Sequence, residues 1–127
     1  MRSGEQDSLS DAFKAGINGE WEKAAALFNA QGGSYILGFP AEVWEGRALF
    51  MTGNRQRAIS LFTKALDDPG MLPQNRNLVH LYRLAATLES GDCATSKTDL
   101  DVLQKQKNRA MASDLAVLEK IFDQKCM

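Results

Sequence analysis

Two segments of the chain, residues 19–28 and 53–62, carry one pattern at a spacing of 34 residues (53 − 19 = 34). The pattern is a glycine, an alanine five residues later and a phenylalanine four residues after that. A repeat of this length predicts stacked structural units, each of which buries its apolar face on the next. The positions that agree on the spacing are Gly19 and Gly53, Ala24 and Ala58, Phe28 and Phe62, and the small residues Ala12 and Gly46.

Each position of the pattern has a physical role in two helices joined by a tight turn. Glycine ends the first helix because it adopts the left-handed backbone conformation that the turn requires. The alanine lies where the two helices cross closely, and the phenylalanine one turn later fills the space between them. Small residues at Ala12 and Gly46 let the first helix of each pair approach the second. The pattern therefore predicts helix–turn–helix units.

The helices of the second unit carry apolar stripes at helical spacing. The second helix follows the i, i+1, i+4, i+7, i+8 spacing of one face, whereas the first helix has two overlapping stripes. A helix that is apolar on two faces is covered by its own partner on one side and needs a neighbouring unit or a ligand on the other. We assign Trp44 to the core between the two helices. The stripes are Ala58, Ile59, Phe62, Ala65 and Leu66; Trp44, Ala48 and Met51; and Val43, Arg47 and Phe50, of which the last is apolar apart from the arginine.

A third, more degenerate unit and a terminal helix complete the chain. Its first helix ends at Gly91, 38 residues after Gly53 (91 − 53 = 38), and Ser96 and Leu100 replace the alanine and the phenylalanine. The last helix is predicted to be a cap, because the terminal element of an array has one side in water. The predicted fold is all-α, one domain of three antiparallel helix pairs plus the cap. The pairs span about residues 5–38, 39–72 and 77–110, and the capping helix about 110–124.

The segment between the first two units predicts a loop. Residues 31–38 are rich in glycine, and Pro40 is expected in the first turn of the next helix. Residues 35–37 are the only β-like run, and three residues are too few to predict a strand.

Composition and charge narrow the class of protein. A formal net charge of -1 over 127 residues argues against nucleic-acid binding, which needs a strongly basic face. With no membrane-spanning stretch and a polar start unlike a signal peptide, we expect a cytoplasmic protein. A periplasmic location is the alternative if a signal peptide has been removed. The only cysteines, Cys93 and Cys126, are too few for a disulfide scaffold, so we expect two reduced thiols.

The stretch from Asp11 to Leu66 resembles tetratricopeptide repeats. The family's element of an alanine, any three residues and a phenylalanine occurs twice in it, and the turn glycine precedes each copy. The family's aromatic residue just after the glycine is present in the first unit as Trp21. Ala65 matches the family's later alanine, which Gln31 replaces in the first unit. The resemblance implies an α-solenoid with a concave groove formed by the first helix of each pair.

The resemblance also implies a function, the binding of another protein's peptide or amphipathic helix by an adaptor or chaperone-like module. One subgroup grips a peptide C-terminus with lysine, asparagine and arginine, but here Leu9 and Phe13 stand where that clamp needs polar residues. A groove that is apolar apart from one arginine fits an amphipathic helix or an extended apolar segment better. The groove residues implied are Leu9, Phe13, Val43, Arg47, Phe50, Leu81 and Ala85.

Three alternatives stay open at this level. The apolar face could pair with a second copy in a homodimer, or the chain could be a regulatory domain of a larger protein. The groove residues could also be ordinary core, covered by the capping helix or by residues 35–37.

The chain offers no catalytic or metal-binding pattern. His80 is the only histidine, so no triad or metal cluster is predicted, and we expect it on the surface or at the groove rim. The acidic pairs Asp67–Asp68 and Asp99–Asp101 are predicted to be solvated, as is the basic run of Lys105, Lys107 and Arg109. We therefore expect neither an enzyme nor a cofactor.

Overall fold

The fold is seen in a computed structural model that describes residues 4–106 and 111–127. Within these residues it contains seven α-helices and one short hairpin, which confirms the predicted all-α class. No helix of this part of the chain is long and apolar enough to cross a membrane. In chain order the elements are α1 (Gly4–Ile17), α2 (Trp21–Asn29), β1 (Tyr35–Ile36), β2 (Phe39–Pro40), α3 (Ala41–Thr52), α4 (Arg55–Leu66), α5 (Pro73–Ser90), α6 (Cys93–Gln106) and α7 (Ala112–Cys126).

The turns between paired helices follow the predicted glycines. Gly19, Gly53 and Gly91 have φ angles of 78°, 88° and 84°, the left-handed region that glycine enters without steric cost. The residue after each of the last two glycines caps the next helix. Asn54 and Asp92 each accept a backbone N–H from the first turn through a side-chain oxygen. These local signals explain why the helices end and begin where the sequence predicts.

The helices pack in the order in which the chain makes them. From α1 to α6 each helix contacts the next, and α7 packs across α5 and α6. The buried apolar side chains form three adjoining clusters, among α1–α3, among α3–α5 and among α5–α7. Each of the first two clusters contains the alanine and the phenylalanine of one repeat unit.

The degenerate third unit keeps the packing role of the pattern with different side chains. Ser96 and Leu100 are both buried. The hydroxyl of Ser96 lies 2.7 Å from that of Thr87 on α5, which satisfies the polar group inside the helix crossing. A small residue and an apolar residue therefore occupy the crossing, as predicted.

The prediction of an irregular loop over residues 31–38 is wrong at its C-terminal end. Tyr35 pairs with Pro40 and Ile36 with Phe39 in an antiparallel hairpin, and Pro40 precedes α3 rather than lying within its first turn. Side chains from two helices hold the hairpin: Trp44 Nε1 donates to the Ile36 carbonyl at 2.8 Å, and Asn75 Nδ2 to the Gly38 carbonyl at 2.9 Å. These contacts give hydrogen-bond donors to backbone carbonyls that a run of three β-like residues would otherwise leave without a partner.

The prediction of two reduced thiols is also wrong in this structure. Cys93 and Cys126 form a disulfide whose Cα atoms are 5.6 Å apart. Because α7 lies across α5 and α6, its last turn reaches the first residue of α6. The Lys125 ammonium donates to the Leu88 carbonyl at 3.2 Å beside the bond. The disulfide thus fastens the capping helix to the third unit.

A third correction concerns a charged cluster between α5 and α6. Asp99, predicted to be solvated, is fully buried, and Arg83 donates to both of its carboxylate oxygens, at 2.9 and 2.7 Å. His80 Nδ1 lies 2.7 Å from Oδ1 of the same residue, so the histidine is bound between helices rather than free at a rim. Asp101 is half-exposed and pairs with Lys97 at 3.0 Å. Arg83 and His80, three residues apart on α5, meet Asp99 because α5 and α6 pack face to face.

Candidate functional site

A concave cavity of about 570 Å³ lies across the helix array. Its walls come mainly from α1, α3 and α5, the first helix of each pair, with contributions from α2 and α4. At its edge Ile17 and Met51 remain 85% and 56% exposed, so large apolar side chains stand in water there. The lining residues are Ala12, Phe13, Gly16, Ile17, Trp21, Phe28, Trp44, Arg47, Ala48, Phe50, Met51, Phe62, Tyr82 and Ala85.

Three aromatic rings in mutual contact form the wall between α1 and α3. Phe13 meets Phe28 and Trp44 edge-on, with ring centroids 5.5 and 5.3 Å apart, while Phe28 and Trp44 stack at 5.9 Å. The hairpin fixes the tryptophan, because the Ile36 carbonyl accepts its N–H and Phe39 meets its ring edge-on. Edge-to-face and offset contacts of this kind are favourable beyond the area they bury. Contacts within the chain therefore fix the geometry of the wall.

Among the described residues that line the cavity, Arg47 is the only charged one. Its guanidinium carbon lies 5.5 Å from the centroid of the Trp44 ring and 5.0 Å from that of the Tyr82 ring. Both distances suit cation–π attraction. No carboxylate among the described side chains forms an ion pair with it. The cavity thus presents one unpaired cation held between aromatic faces.

The structure brings together four of the seven predicted groove residues. Phe13, Arg47, Phe50 and Ala85 line the cavity, whereas Leu9 is half-buried against the first cluster and does not line it. The other two predicted residues, Val43 and Leu81, are core residues instead. Val43 is buried in the second cluster, near the α4–α5 connection, and Leu81 in the third cluster, under α6 and α7. Neighbouring helices therefore cover both of them.

Sequence reasoning missed several cavity residues. On α5 the cavity residue is Tyr82, next to the predicted Leu81. The predicted face of α5 therefore differs from the observed one by one residue, or about 100° of helix rotation. Trp44, which the sequence predicts to be core, is half-buried and lines the cavity together with Ala48 and Met51. The sequence shows both apolar stripes of α3, and both contribute to the cavity, because Arg47 and Phe50 of the other stripe line it as well.

The described residues hold no group of three or more His, Cys, Asp or Glu side chains placed to bind a metal ion. Of the predicted basic run, Lys105 is exposed, while Lys107 and Arg109 lie outside the described residues. The cavity offers apolar and aromatic surface and one cation, which suits binding.

Comparison with protein-family models, curated proteins and solved structures gave no match. The cavity geometry of this chain therefore carries the functional proposal.

Proposed function

We propose that the chain is a protein-interaction module, an adaptor or chaperone-like binder that holds an amphipathic helix or apolar peptide of another protein in the cavity. The observation that carries the proposal is the wall of aromatic side chains across α1, α3 and α5, with exposed Ile17 and Met51 at its edge. Large apolar side chains that remain in water at a concave site are typical of surfaces that bind a partner.

We also propose a tetratricopeptide-like solenoid as the architecture that presents this cavity. Two observations support it: each helix packs on the next along the chain, and left-handed glycines occupy equivalent turns at Gly19, Gly53 and Gly91. In such an array the first helices share one face, so a cavity that collects residues from α1, α3 and α5 is expected.

The size of the cavity sets how the partner would bind. A volume of about 570 Å³ admits a few side chains rather than a whole helix, whose diameter is about 10 Å or more. An amphipathic helix would therefore lie along the opening and insert anchors at i, i+3 or i+4, and i+7. Aromatic walls give such anchors large contact area, and Met51 at the edge can adapt its shape to them.

A matched pair of exposed variants tests the proposal. Ile17→Ser removes an aliphatic side chain at the cavity edge, and Val117→Ser removes one of similar shape, 59% exposed, on α7 away from the cavity. Wild type and both variants are used to capture proteins from a lysate of the source organism. We expect Ile17→Ser, and not Val117→Ser, to lose a captured protein, with unchanged circular dichroism for both. Captured proteins that bind all three forms equally would contradict the proposal.

Light scattering on the same samples decides between a partner and a second copy. The second candidate function, self-assembly, has the exposed Ile17 and Met51 in its favour because a dimer would bury them. A wild-type dimer that Ile17→Ser converts to a monomer would replace the adaptor proposal with self-assembly.

The disulfide supports an oxidising compartment for this activity. Bonds such as Cys93–Cys126 persist in secreted and periplasmic proteins and are rare in the reducing cytosol. We therefore favour the periplasmic alternative over the cytoplasm. To test this location, free thiols are alkylated in the cells before the protein is isolated, and the mass of the protein is then measured. Two added alkyl groups would indicate a reduced, cytoplasmic protein.

A further inference from the structure

We infer that the partner segment carries an aspartate or glutamate side chain between its apolar anchors, and that Arg47 pairs with this carboxylate inside the cavity. The inference rests on the proposed function and names the chemistry that the cavity would select.

The first step is that α3 supplies no anion of its own to Arg47. Its two acidic residues are engaged elsewhere, Glu42 with Lys64 at 3.8 Å and Glu45 with Arg57 at 3.4 Å. Both oxygens of Glu45 also accept from the Asn29 amide, at 3.3 and 3.2 Å, so each already has a hydrogen-bond donor other than Arg47. The guanidinium is held by aromatic faces, which orient it but do not neutralise it.

The second step concerns what happens when a partner covers Arg47. In the free protein the side chain is exposed, and water solvates its charge. A wholly apolar segment would displace that water and leave a desolvated, unpaired cation, which is strongly unfavourable. A carboxylate on the segment removes this penalty, and the planar guanidinium can bind it through two parallel hydrogen bonds. The cavity therefore selects for an acid among apolar residues.

The third step places that acid within the segment rather than at its end. Arg47 lies on α3, the middle of the three lining helices. Its guanidinium lies between the rings of Trp44 and Tyr82, and Phe13 on α1 packs against Trp44, so lining residues continue from Arg47 towards α1 through Trp44 and towards α5 through Tyr82. A segment that fills both sides must continue in both directions from the carboxylate. A side-chain carboxylate allows this and a chain terminus does not.

The test is a selection from random peptides of about 15 residues displayed on phage. This length is slightly more than that of an average α-helix. Wild type is the bait, and binders that also bind Ile17→Ser are discarded. Selected sequences are synthesised with amidated C-termini, each as an acidic peptide and its Glu→Gln or Asp→Asn counterpart. Affinities are measured on wild type, Arg47→Gln and the control Arg55→Gln, an arginine outside the cavity.

We expect apolar peptides with an internal acid at one constant position. Neutralising that acid should weaken binding to wild type and to Arg55→Gln roughly tenfold or more, and to Arg47→Gln by less than about twofold. The inference would be overturned if the cavity-dependent peptides had no acid at a constant position, or if neutralising the acid weakened binding to Arg47→Gln as much as to wild type. Either result would leave the proposed function standing. Loss of binding on amidation would overturn it in favour of a terminal carboxylate. Failure to select any peptide that depends on Ile17 would overturn both.

Discussion

A β carbon added to Gly46 on α3 would lie 2.8 Å from Cε1 of Phe62 on α4, closer than non-bonded carbons approach. Phe62 is 1% exposed and its ring packs against that of Tyr82, with centroids 6.0 Å apart, so a shift of the ring disturbs the packing around it. The first unit has Ala12 and Phe28 at the equivalent places, 34 residues earlier (46 − 12 = 34; 62 − 28 = 34). The small residue of the repeat therefore sets how closely the two helices of a unit approach.

Gly46→Ala is expected to destabilise the protein. Alanine favours a helix interior over glycine by about 1 kcal/mol, but overpacking a buried site costs about 1–3 kcal/mol. Three ring atoms of Phe62 lie within 3.2 Å of the added carbon, so we place the overpacking cost in the upper part of this range, at about 2–3 kcal/mol. The expected net loss in the free energy of unfolding in urea is then about 1–2 kcal/mol. Gly16→Ala is the control, since its nearest neighbour is the half-buried Trp21 ring at 3.2 Å, and it should be neutral or stabilising. A Gly46→Ala protein as stable as wild type would contradict this packing.

The sequence predicts the helix pairs well because their signals are local and repeated. Turn glycines, the buried alanine and the buried phenylalanine each act within one unit, so a 34-residue period exposes them. The cavity face was harder to predict, because α3 is apolar on two faces and only its neighbours decide which one is covered. Val43 and Arg47 are one helical turn apart on the same stripe, yet one is core and the other lines the cavity.

Charged residues whose partners lie on another helix were the least predictable. Asp99 lies on the same face of α6 as the buried Ser96 and Leu103, and that position was the available signal of burial. Whether Asp99 is buried as a charge depends on its partners Arg83 and His80, which lie 16 and 19 residues earlier in the chain. The packing of α5 on α6 brings them together, and the sequence near Asp99 does not show that packing.

Replacement of Asp99 by alanine is expected to destabilise the protein strongly. The change leaves the guanidinium of Arg83 in a largely buried site without its carboxylate, a loss of about 3–5 kcal/mol in the free energy of unfolding. The double variant Asp99→Ala/Arg83→Met should recover part of it, because the unpaired charge is then absent. Urea unfolding of the two proteins measures the difference. Equal stability of the single and double variants would show that the buried charge is not the cause.

Loss of the disulfide is expected to loosen the capping helix. The bond joins residues separated by 33 positions, and constraint of a loop of that length in the unfolded chain is worth about 3–4 kcal/mol. The double variant Cys93→Ser/Cys126→Ser should lose about that much unfolding free energy, with the fastest rise in hydrogen exchange in α7. Wild type under reducing conditions should match it. If the reductant leaves wild-type stability unchanged, Cys93 and Cys126 are not bonded in solution.

The cap of α6 is expected to weaken in acid. The Thr95 backbone N–H donates to the Asp92 carboxylate at 3.0 Å, and this bond, aided by the Thr95 side chain, lowers the pKa of Asp92 below its ordinary value of 3.8. A folded-state pKa below the unfolded one stabilises the fold above about pH 4 and loses that contribution as the pH falls through the folded pKa.

Substitutions at Asp92 separate the cap from its charge. Asp92→Asn keeps a capping oxygen but cannot titrate in this range. Its free energy of unfolding should therefore fall less than that of wild type between pH 5 and pH 2, a window of roughly one to two units around the carboxyl pKa. Asp92→Ala should lose about 1 kcal/mol at neutral pH. Parallel stability curves for wild type and Asp92→Asn across the acid range would count against the shifted pKa.

Leu37→Asn is expected to stabilise the hairpin. Leu37 and Gly38 form the two-residue turn between β1 and β2, and both have positive φ angles, 52° and 86°. This turn favours Asn-Gly because leucine is strained in the left-handed region, by about 1–2 kcal/mol. Leu37 is 76% exposed, so its replacement forfeits little burial, and we expect a gain of about 0.5–1 kcal/mol in thermal or urea unfolding. Leu37→Ala is the control, because alanine is strained there too. A gain with alanine equal to that with asparagine would assign the effect to removal of an exposed leucine and not to relief of the turn.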